Sequence, residues 1–342
     1  MGKEKEEPYL QRGCFRIDGG DILCFADTHL SAIFEGTHKS YLYECYEVMD
    51  SILDKVSKVK PKAVLLLGDL IGVKEHGISD KRFLSRVMMF FSNLYTITNG
   101  NVYSVKGNHD FGDFSDFDFL VSLGYIRNPK FVDYYVNGKP EVRFHFVNYG
   151  DEKKPLEISS ESSNIVLGHC DYYVEGVTTW YTPKKGRTDL KTLNNFCGVD
   201  LVISGHIHVP SLEVHYTTLP NGESIGLFYP GCPTRVSERF DDCWYLRFFY
   251  DEEEGMTNYS ADIFGLRKAE EVFYPKEDFD YSDEESEKQE KDTKVLNEII
   301  NEIFESRLAQ GDIFGQLDRI PADDDVKALA KEYLNRAILE VK

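Results

Sequence analysis

The chain has 342 residues, 42% of them hydrophobic, with 59 acidic residues against 39 basic ones and a formal charge of -20. That composition supports a buried core, and the length suggests about two domains, or one large one with an appendage. It excludes a membrane span, because no run approaches ~18 apolar residues, and it disfavours a stand-alone nucleic-acid binder, because phosphate contacts dominate that affinity.

The opening MGKEKEEPYLQRG lacks the apolar core of a secretory signal. Gly2 lacks the Ser or Thr at position 6 that N-myristoylation uses. A cytoplasmic location is expected. The seven cysteines, Cys14, Cys24, Cys45, Cys170, Cys197, Cys232 and Cys243, form no C-x-x-C pair. They read as reduced, mostly structural thiols, and Cys170 as a packed thiol rather than a nucleophile.

Short apolar runs then stop abruptly at polar residues. They are ILCFADTH (22–29), AVLLLGD (63–69), VYSVKGNHD (102–110), NIVLGH (164–169) and LVISGHIH (201–208). Runs of this length and β-branched content predict buried strands. Between them, Tyr41 to Val59 places Leu42, Cys45, Tyr46, Met49, Ile52, Leu53 and Val56 at helical intervals, with Pro61 ending the element. Lys81 to Leu94 repeats the pattern with Phe83, Leu84, Val87, Met88 and Phe91. This alternation predicts a layered α/β body. His38 begins the first helical pattern, while His145 and His215 sit in strand-like runs and read as sheet residues.

The texture turns to β from about Gly222, with SIGLFYPG, WYLRFFYD and MTNYSADIF. Pro275 to Asp292 is acidic and poor in large aliphatics, which predicts a linker. Residues 251–342 hold 26 acidic and 12 basic residues, so much of the acidity is C-terminal. Two helical patterns close the chain. One carries Leu296, Ile299, Ile300, Ile303, Phe304 and Leu308. The other, capped at Asp323, carries Val326, Leu329, Tyr333, Leu334 and Ile338. Strong apolar faces beyond a linker suggest a partner-binding helical pair. The expected plan is an extension (1–20), an α/β domain (21–222), a β-rich completion or cap (223–274), the linker (275–292) and the helical pair (293–342).

The polar strand ends form one ordered set: Asp27 with His29, Asp69, Asn108 with His109 and Asp110, His169, and His206 with His208. Residues past the carboxyl ends of strands gather along one sheet edge. D-x-H and H-x-H spacings send both side chains the same way on an extended segment. Some eight N/O donors are too many for one ion and fit two that share a carboxylate, about 3.5–4 Å apart in sites of this kind. Imidazole with carboxylate and amide oxygen suits manganese best, with iron or zinc as alternatives, more than magnesium.

This ordered set resembles the calcineurin-like metallophosphoesterase superfamily over roughly residues 20–265. The resemblance implies a β-sandwich flanked by helices. It implies that Asp27, His29, Asp69 and His208 hold one divalent metal, and that Asp69, Asn108, His169 and His206 hold a second. His109 would face the scissile phosphate and Asp110 would orient it. GDLIGVKEHG and G-N-H-D differ from the G-D-x-V-D-R-G and G-N-H-E of protein Ser/Thr phosphatases. YPGCPTR (229–235) is similar to the Y-P-G-S-P-x-R segment of SbcD-type DNA repair exonucleases, including compact phage-encoded relatives, with Cys232 where Ser is usual.

That likeness implies an exonuclease or endonuclease acting on DNA in repair or recombination, bound through its C-terminal helices to an SbcC-type coiled-coil ATPase. A second copy of the chain is a further expected partner. Cyclic-nucleotide or other small-molecule phosphodiesterase activity is the alternative, and a non-catalytic scaffold is disfavoured because no ligand position is lost. The loop around TTWYTPKKGRTDLK places Trp180 and Tyr181 beside Lys184, Lys185 and Arg187. Aromatics there could stack bases while cations meet phosphates, or the segment is simply a solvated turn.

Overall fold

The computed structural model describes residues 13–31, 41–72, 81–111, 115–174, 187–235 and 242–273. His38, Trp180, Tyr181, Lys184, Lys185, the acidic linker and both C-terminal helical patterns, from Leu296 through Tyr333, lie outside the described residues.

Short apolar runs build two stacked sheets and one small two-stranded pair from β1 (Cys14–Asp18), β2 (Ile22–Phe25), β3 (Ala63–Leu66), β4 (Val102–Ser104), β5 (Phe131–Val136), β6 (Lys139–Val147), β7 (Ser163–His169), β8 (Tyr172–Tyr173), β9 (Thr188–Asp189), β10 (Leu201–Gly205), β11 (His215–Thr218), β12 (Ser224–Phe228), β13 (Asp242–Asp251) and β14 (Met256–Gly265). One sheet runs β1-β5-β6-β7-β10-β12-β11 and the other β14-β13-β2-β3-β4, with β8 and β9 as a separate pair. β2, β3 and β4 are mutually parallel, as are β6, β7, β10 and β12. The β5–β6 hairpin turns on Asn137 and Gly138, both at positive φ (51° and 80°), the pairing a tight hairpin turn requires.

The strands' period of two divides the core. Ile22, Cys24, Ala63 and Leu65 face the sandwich interior, where they meet Phe144, Leu167 and Ile203 of the other sheet. Leu23, Phe25, Val64 and Leu66 face outward, onto α1 (Tyr41–Val59) and α2 (Lys81–Ile97). α3 (Asp116–Ser122) joins the same layer through Phe117 and Leu120, and its Ser115 side chain accepts the Asp118 amide as a cap. The outer face of the seven-stranded sheet is covered by Tyr172, Leu190, Leu193 and Phe196. The architecture is therefore a β-sandwich flanked by helices, as the resemblance implies.

One detail differs from the sequence expectation. Residues 14–18, read as part of an extension, pair with β5 and lie at the edge of the larger sheet. The β-rich stretch after Gly222 takes part in both sheets, since β12 joins one, while β13 and β14 extend the other. His145 and His215 do lie in strands β6 and β11. Among the described residues no helix is long and apolar enough to cross a membrane.

Candidate functional site

Each metal-ligand candidate stands at or just past a strand's carboxyl end. β2 leads to Asp27 and His29, β3 to Asp69, β4 to Asn108, β7 ends in His169, and β10 leads to His206 and His208. The first three strands belong to one sheet and the last two to the other, so both sheets deliver side chains to one shared edge.

The backbone there is strained. Asp27, His29, Asp69 and His206 have φ of 44°, 42°, 47° and 75°. Each such residue costs of order 1–3 kcal/mol and persists only where its surroundings over-determine it. Here the surroundings are backbone and carboxylate bonds. His29 N donates to Asp69 O (2.9 Å), His206 N to Asp27 Oδ1 (2.8 Å) and Asp69 N to Asp110 Oδ2 (2.8 Å).

Crowding also dictates the glycines of G-N-H-D and G-H-x-H. A Cβ on Gly107 would stand 2.1 Å from Asp69 Oδ1, and one on Gly205 would stand 2.5 Å from Leu67 O and 2.7 Å from Asp27 Oδ2. Gly107 is needed for close approach rather than for a special turn.

The side chains form two clusters. In the first, His29 Nε2 lies 2.9 Å from His208 Nε2, 3.7 Å from Asp69 Oδ2 and 4.0 Å from Asp27 Oδ1. In the second, Asn108 Oδ1 lies 2.8 Å from His206 Nδ1 and 3.1 Å from His169 Nε2, which is 3.1 Å from Asp69 Oδ2. Asp69 Oδ2 therefore faces both.

The donor chemistry fits two cations. His29 Nδ1 donates to Gly72 O (2.9 Å) and His169 Nδ1 to Leu67 O (2.6 Å). Each ring thereby turns the Nε2 lone pair inward, the outer-shell arrangement that orients metal-ligating histidines. Lone pairs of His29 and His208, and of His169, Asp69 and Asn108, then converge at hydrogen-bond distance. Only a shared proton or a cation reconciles them. Asp27 Oδ2 is buried without a hydrogen-bond partner, a cost that a bound cation would relieve. Asp27, His29, Asp69 and His208 would hold one ion, and Asp69, Asn108, His169 and His206 the other.

Electrostatics point the same way. Burial, with the Asp69 carboxylate adding to it, pushes the Asp27 carboxyl up to about 8. Burial alone would raise Asp69 as well, but the His169 and His29 imidazoles and the His109 amide outweigh it and hold this carboxyl below the usual range. Burial opposes a charged His169, yet Asp69 and Asp27 push the imidazole up to about 9. Burial and then His169 push His206 down to about 4. Without metal the centre thus holds protons between its carboxylates and imidazoles.

Asp110 departs from its expected role as orienter of His109. Its carboxylate accepts the backbone amides of Asp69 (2.8 Å), Gly107 (2.8 Å) and Leu70 (3.2 Å), and none of these bonds involves the His109 ring. It ties the β3 and β4 loops together. His109 donates its amide to Asp69 Oδ1 (2.9 Å), packs edge-on against His29 and leaves 28% of its side chain exposed, with Nε2 4.0 Å from Asp69 Oδ2.

Arg187 also departs from expectation. Its side chain is 5% exposed and Nε donates to Asp171 Oδ2 at 3.0 Å, so it is committed to an ion pair rather than open to DNA.

Cys232 was not marked as a site residue. Its Sγ lies within 4.8 Å of ligand nitrogens of His29 and His208. It lies 2.9 Å from both Asp27 O and Thr234 O, which share its single S–H donor. Burial, with Asp27 next, pushes the thiol well above its ordinary range. It serves as a donor that holds the Asp27 backbone, and all seven cysteines are free. Thr234 Oγ1 similarly donates to Thr28 O. The YPGCPTR segment, visible in the sequence, is what carries both contacts.

A family model described as "Calcineurin-like phosphoesterase" matches residues 20–210. No curated protein matches the chain. Among solved structures, the chain is similar to the NAD nucleotidase NadN of Haemophilus influenzae at 14% identity and a TM-score of 0.35, covering 70% of this chain and 54% of that one, so it spans about half the nucleotidase's length. It is similar to Yfce, a phosphoesterase from E. coli, at 14% identity and a TM-score of 0.36, covering 70% and 98%. A dimetal phosphatase from Danio rerio shares 11% identity with a TM-score of 0.39, covering 72% and 97%.

Proposed function

Because this chain belongs to the calcineurin-like phosphoesterase family, whose members are metallophosphoesterase-type hydrolases with a dinuclear metal centre, we propose that it hydrolyses DNA phosphodiester bonds as the nuclease subunit of an SbcC/SbcD-type complex. The observation that carries the nuclease reading is the Tyr229–Arg235 segment, YPGCPTR, fastened under the first ligand loop by Cys232 on Asp27 O and Thr234 on Thr28 O. Manganese is the proposed ion at both positions, with iron or zinc as alternatives. The acidity of the chain fits a subunit that leaves much of the DNA grip to an ATPase partner, met through residues 293–342. The proposed place of action is the cytoplasm, at the nucleoid.

Two divalent ions, when bound, would polarise a phosphoryl oxygen and lower the pKa of a water. The chain's own residues set the geometry around that chemistry. Asp69 faces both ligand clusters, and Asp110 fixes the loop that carries it. His109 is partly open to solvent beside Asp69, which supports a role in which it would hydrogen-bond a phosphate oxygen and, when protonated, give its proton to the leaving oxygen.

One assay in manganese tests the reading. It compares labelled linear duplex, hairpin and single-stranded DNA with cyclic nucleotides. Turnover of DNA above cyclic nucleotides supports the nuclease. The reverse order assigns the chain to small phosphodiesters.

A further inference from the structure

Two large aromatic side chains stand open beside the second ligand cluster. Phe111 directly follows G-N-H-D and is 53% exposed, and Tyr149 follows β6 and is 42% exposed. Their rings meet edge-to-face at 6.4 Å, and the Tyr149 ring lies 5.6 Å from the imidazole of His206. The pair therefore continues outward from a ligand of the centre.

Both rings sit on braced loops. Tyr149 N donates to Lys106 O at 2.9 Å, and Lys106 N donates to Asn148 Oδ1 at 2.7 Å. Asn128 Nδ2 bonds the same Asn148 oxygen at 2.9 Å and Ser104 O at 2.7 Å. Lys106 Nζ lies 5.0 Å from the centre of the Phe111 ring while paired with both Asp118 oxygens at 2.9 Å. A cation held at that distance supports the ring, and over half of Phe111 stays exposed.

Exposed aromatic area normally costs hydration free energy, so an exposed aromatic pair at the rim of a reactive centre calls for a ligand. The partner that suits exposed aromatic surface beside a phosphate-directed centre is a planar heteroaromatic group carried on a phosphoester.

We propose that Phe111 and Tyr149 form a stacking wall for the nucleobase adjoining the scissile phosphate. The inference rests on the phosphodiesterase reading above and adds a base-binding subsite to it. Stacking tolerates any base, because every base has a π-face. The wall therefore selects for the presence of a base, not for its identity.

The test measures binding of metal-loaded protein to phosphorothioate single strands that are intact or abasic at one nucleotide. Wild type should bind the intact strand about tenfold more tightly. Phe111→Ala and Tyr149→Leu should each bring that ratio to within about twofold, and Phe111→Trp should restore it. The same comparison with a dinucleotide separates a small nucleotide from a strand as the source of the base, and tenfold discrimination there also supports the wall. Equal binding of intact and abasic strands by wild type, or an unchanged ratio in both truncations, overturns the proposal. Hydrolysis of bis-p-nitrophenyl phosphate by wild type is followed separately. Its absence sinks the hydrolase premise while base discrimination is still measured.

Discussion

The Nε2 atoms of His29 and His208 lie 2.9 Å apart, and His29 has already spent its Nδ1 proton on Gly72 O. The two nitrogens are compatible only around a proton or a cation. Replacing either residue by Ala should lower metal affinity by more than the ~10–100-fold that loss of an outer-shell partner costs. Metal content per chain after dialysis reads this out. Full occupancy in His208→Ala would remove it from the ligand set.

Asp110 and His109 should separate cleanly. Asp110→Asn replaces an acceptor by a donor facing the amides of Asp69, Gly107 and Leu70, and an unpaired buried amide costs about 1–3 kcal/mol. The variant should lose thermal stability and metal affinity together. His109→Ala should keep both and lose rate, typically ~10²–10⁴-fold for a general acid. Full activity in His109→Ala would end its assigned role, and unaltered stability in Asp110→Asn would end the anchoring role.

Gly107→Ala probes the crowded strand ends. Its new methyl would lie 2.1 Å from Asp69 Oδ1, so the β3 or β4 loop must move. Overpacking of this kind costs about 1–3 kcal/mol. The melting temperature and the bound metal should fall in parallel. A variant with wild-type metal content would show that the two loops separate freely.

Metal binding should strengthen with pH. Asp27 is raised to about 8 and His169 to about 9, so near neutral pH a cation must displace protons. For the metal-free fold the sign is opposite. Both groups bind more protons folded than unfolded between pH 7 and 8, so stability falls as pH rises there. The thermal shift produced by manganese should therefore grow from pH 7 to pH 8. Calorimetry in buffers of different ionisation enthalpy should register proton release. A pH-independent affinity would contradict the proton-filled centre.

Deleting residues 294–342 should abolish association with a coiled-coil ATPase and leave metal-dependent cleavage intact. Charge reversal of Lys184 and Lys185 should lower DNA cleavage and spare bis-p-nitrophenyl phosphate. Loss of the folded body on deletion would assign the C-terminal residues to stability instead. Equal loss on both substrates would remove the loop from DNA binding.

Local patterns decide some features of this protein and distant contacts decide others. The strand period and the abrupt polar stops are written in neighbouring residues. For that reason a layered α/β body, helical patterns over Tyr41–Val59 and Lys81–Leu94, and the ordered set from Asp27 to His208 are legible from the chain alone, whereas the β-sandwich is what the family resemblance implies. A strand's end also dictates which edge its last residues reach, so Asn108 and His169 can be expected together although 61 positions separate them.

The rest required the tertiary structure, because it depends on which backbone atoms pass within hydrogen-bond reach. Asp110 bonds the amide of Asp69, 41 positions away, instead of the adjacent imidazole. Arg187 is drawn out of a basic cluster by Asp171. Gly107 is glycine because Asp69 passes close by. Phe111 and Tyr149 are 38 positions apart, and only the meeting of the β4 and β6 loops brings them together beside His206. Sequence pattern fixed which chemistry stands at the strand ends. The packing of two sheets decided which of those groups face the centre, which hold the backbone, and which are left open for a ligand.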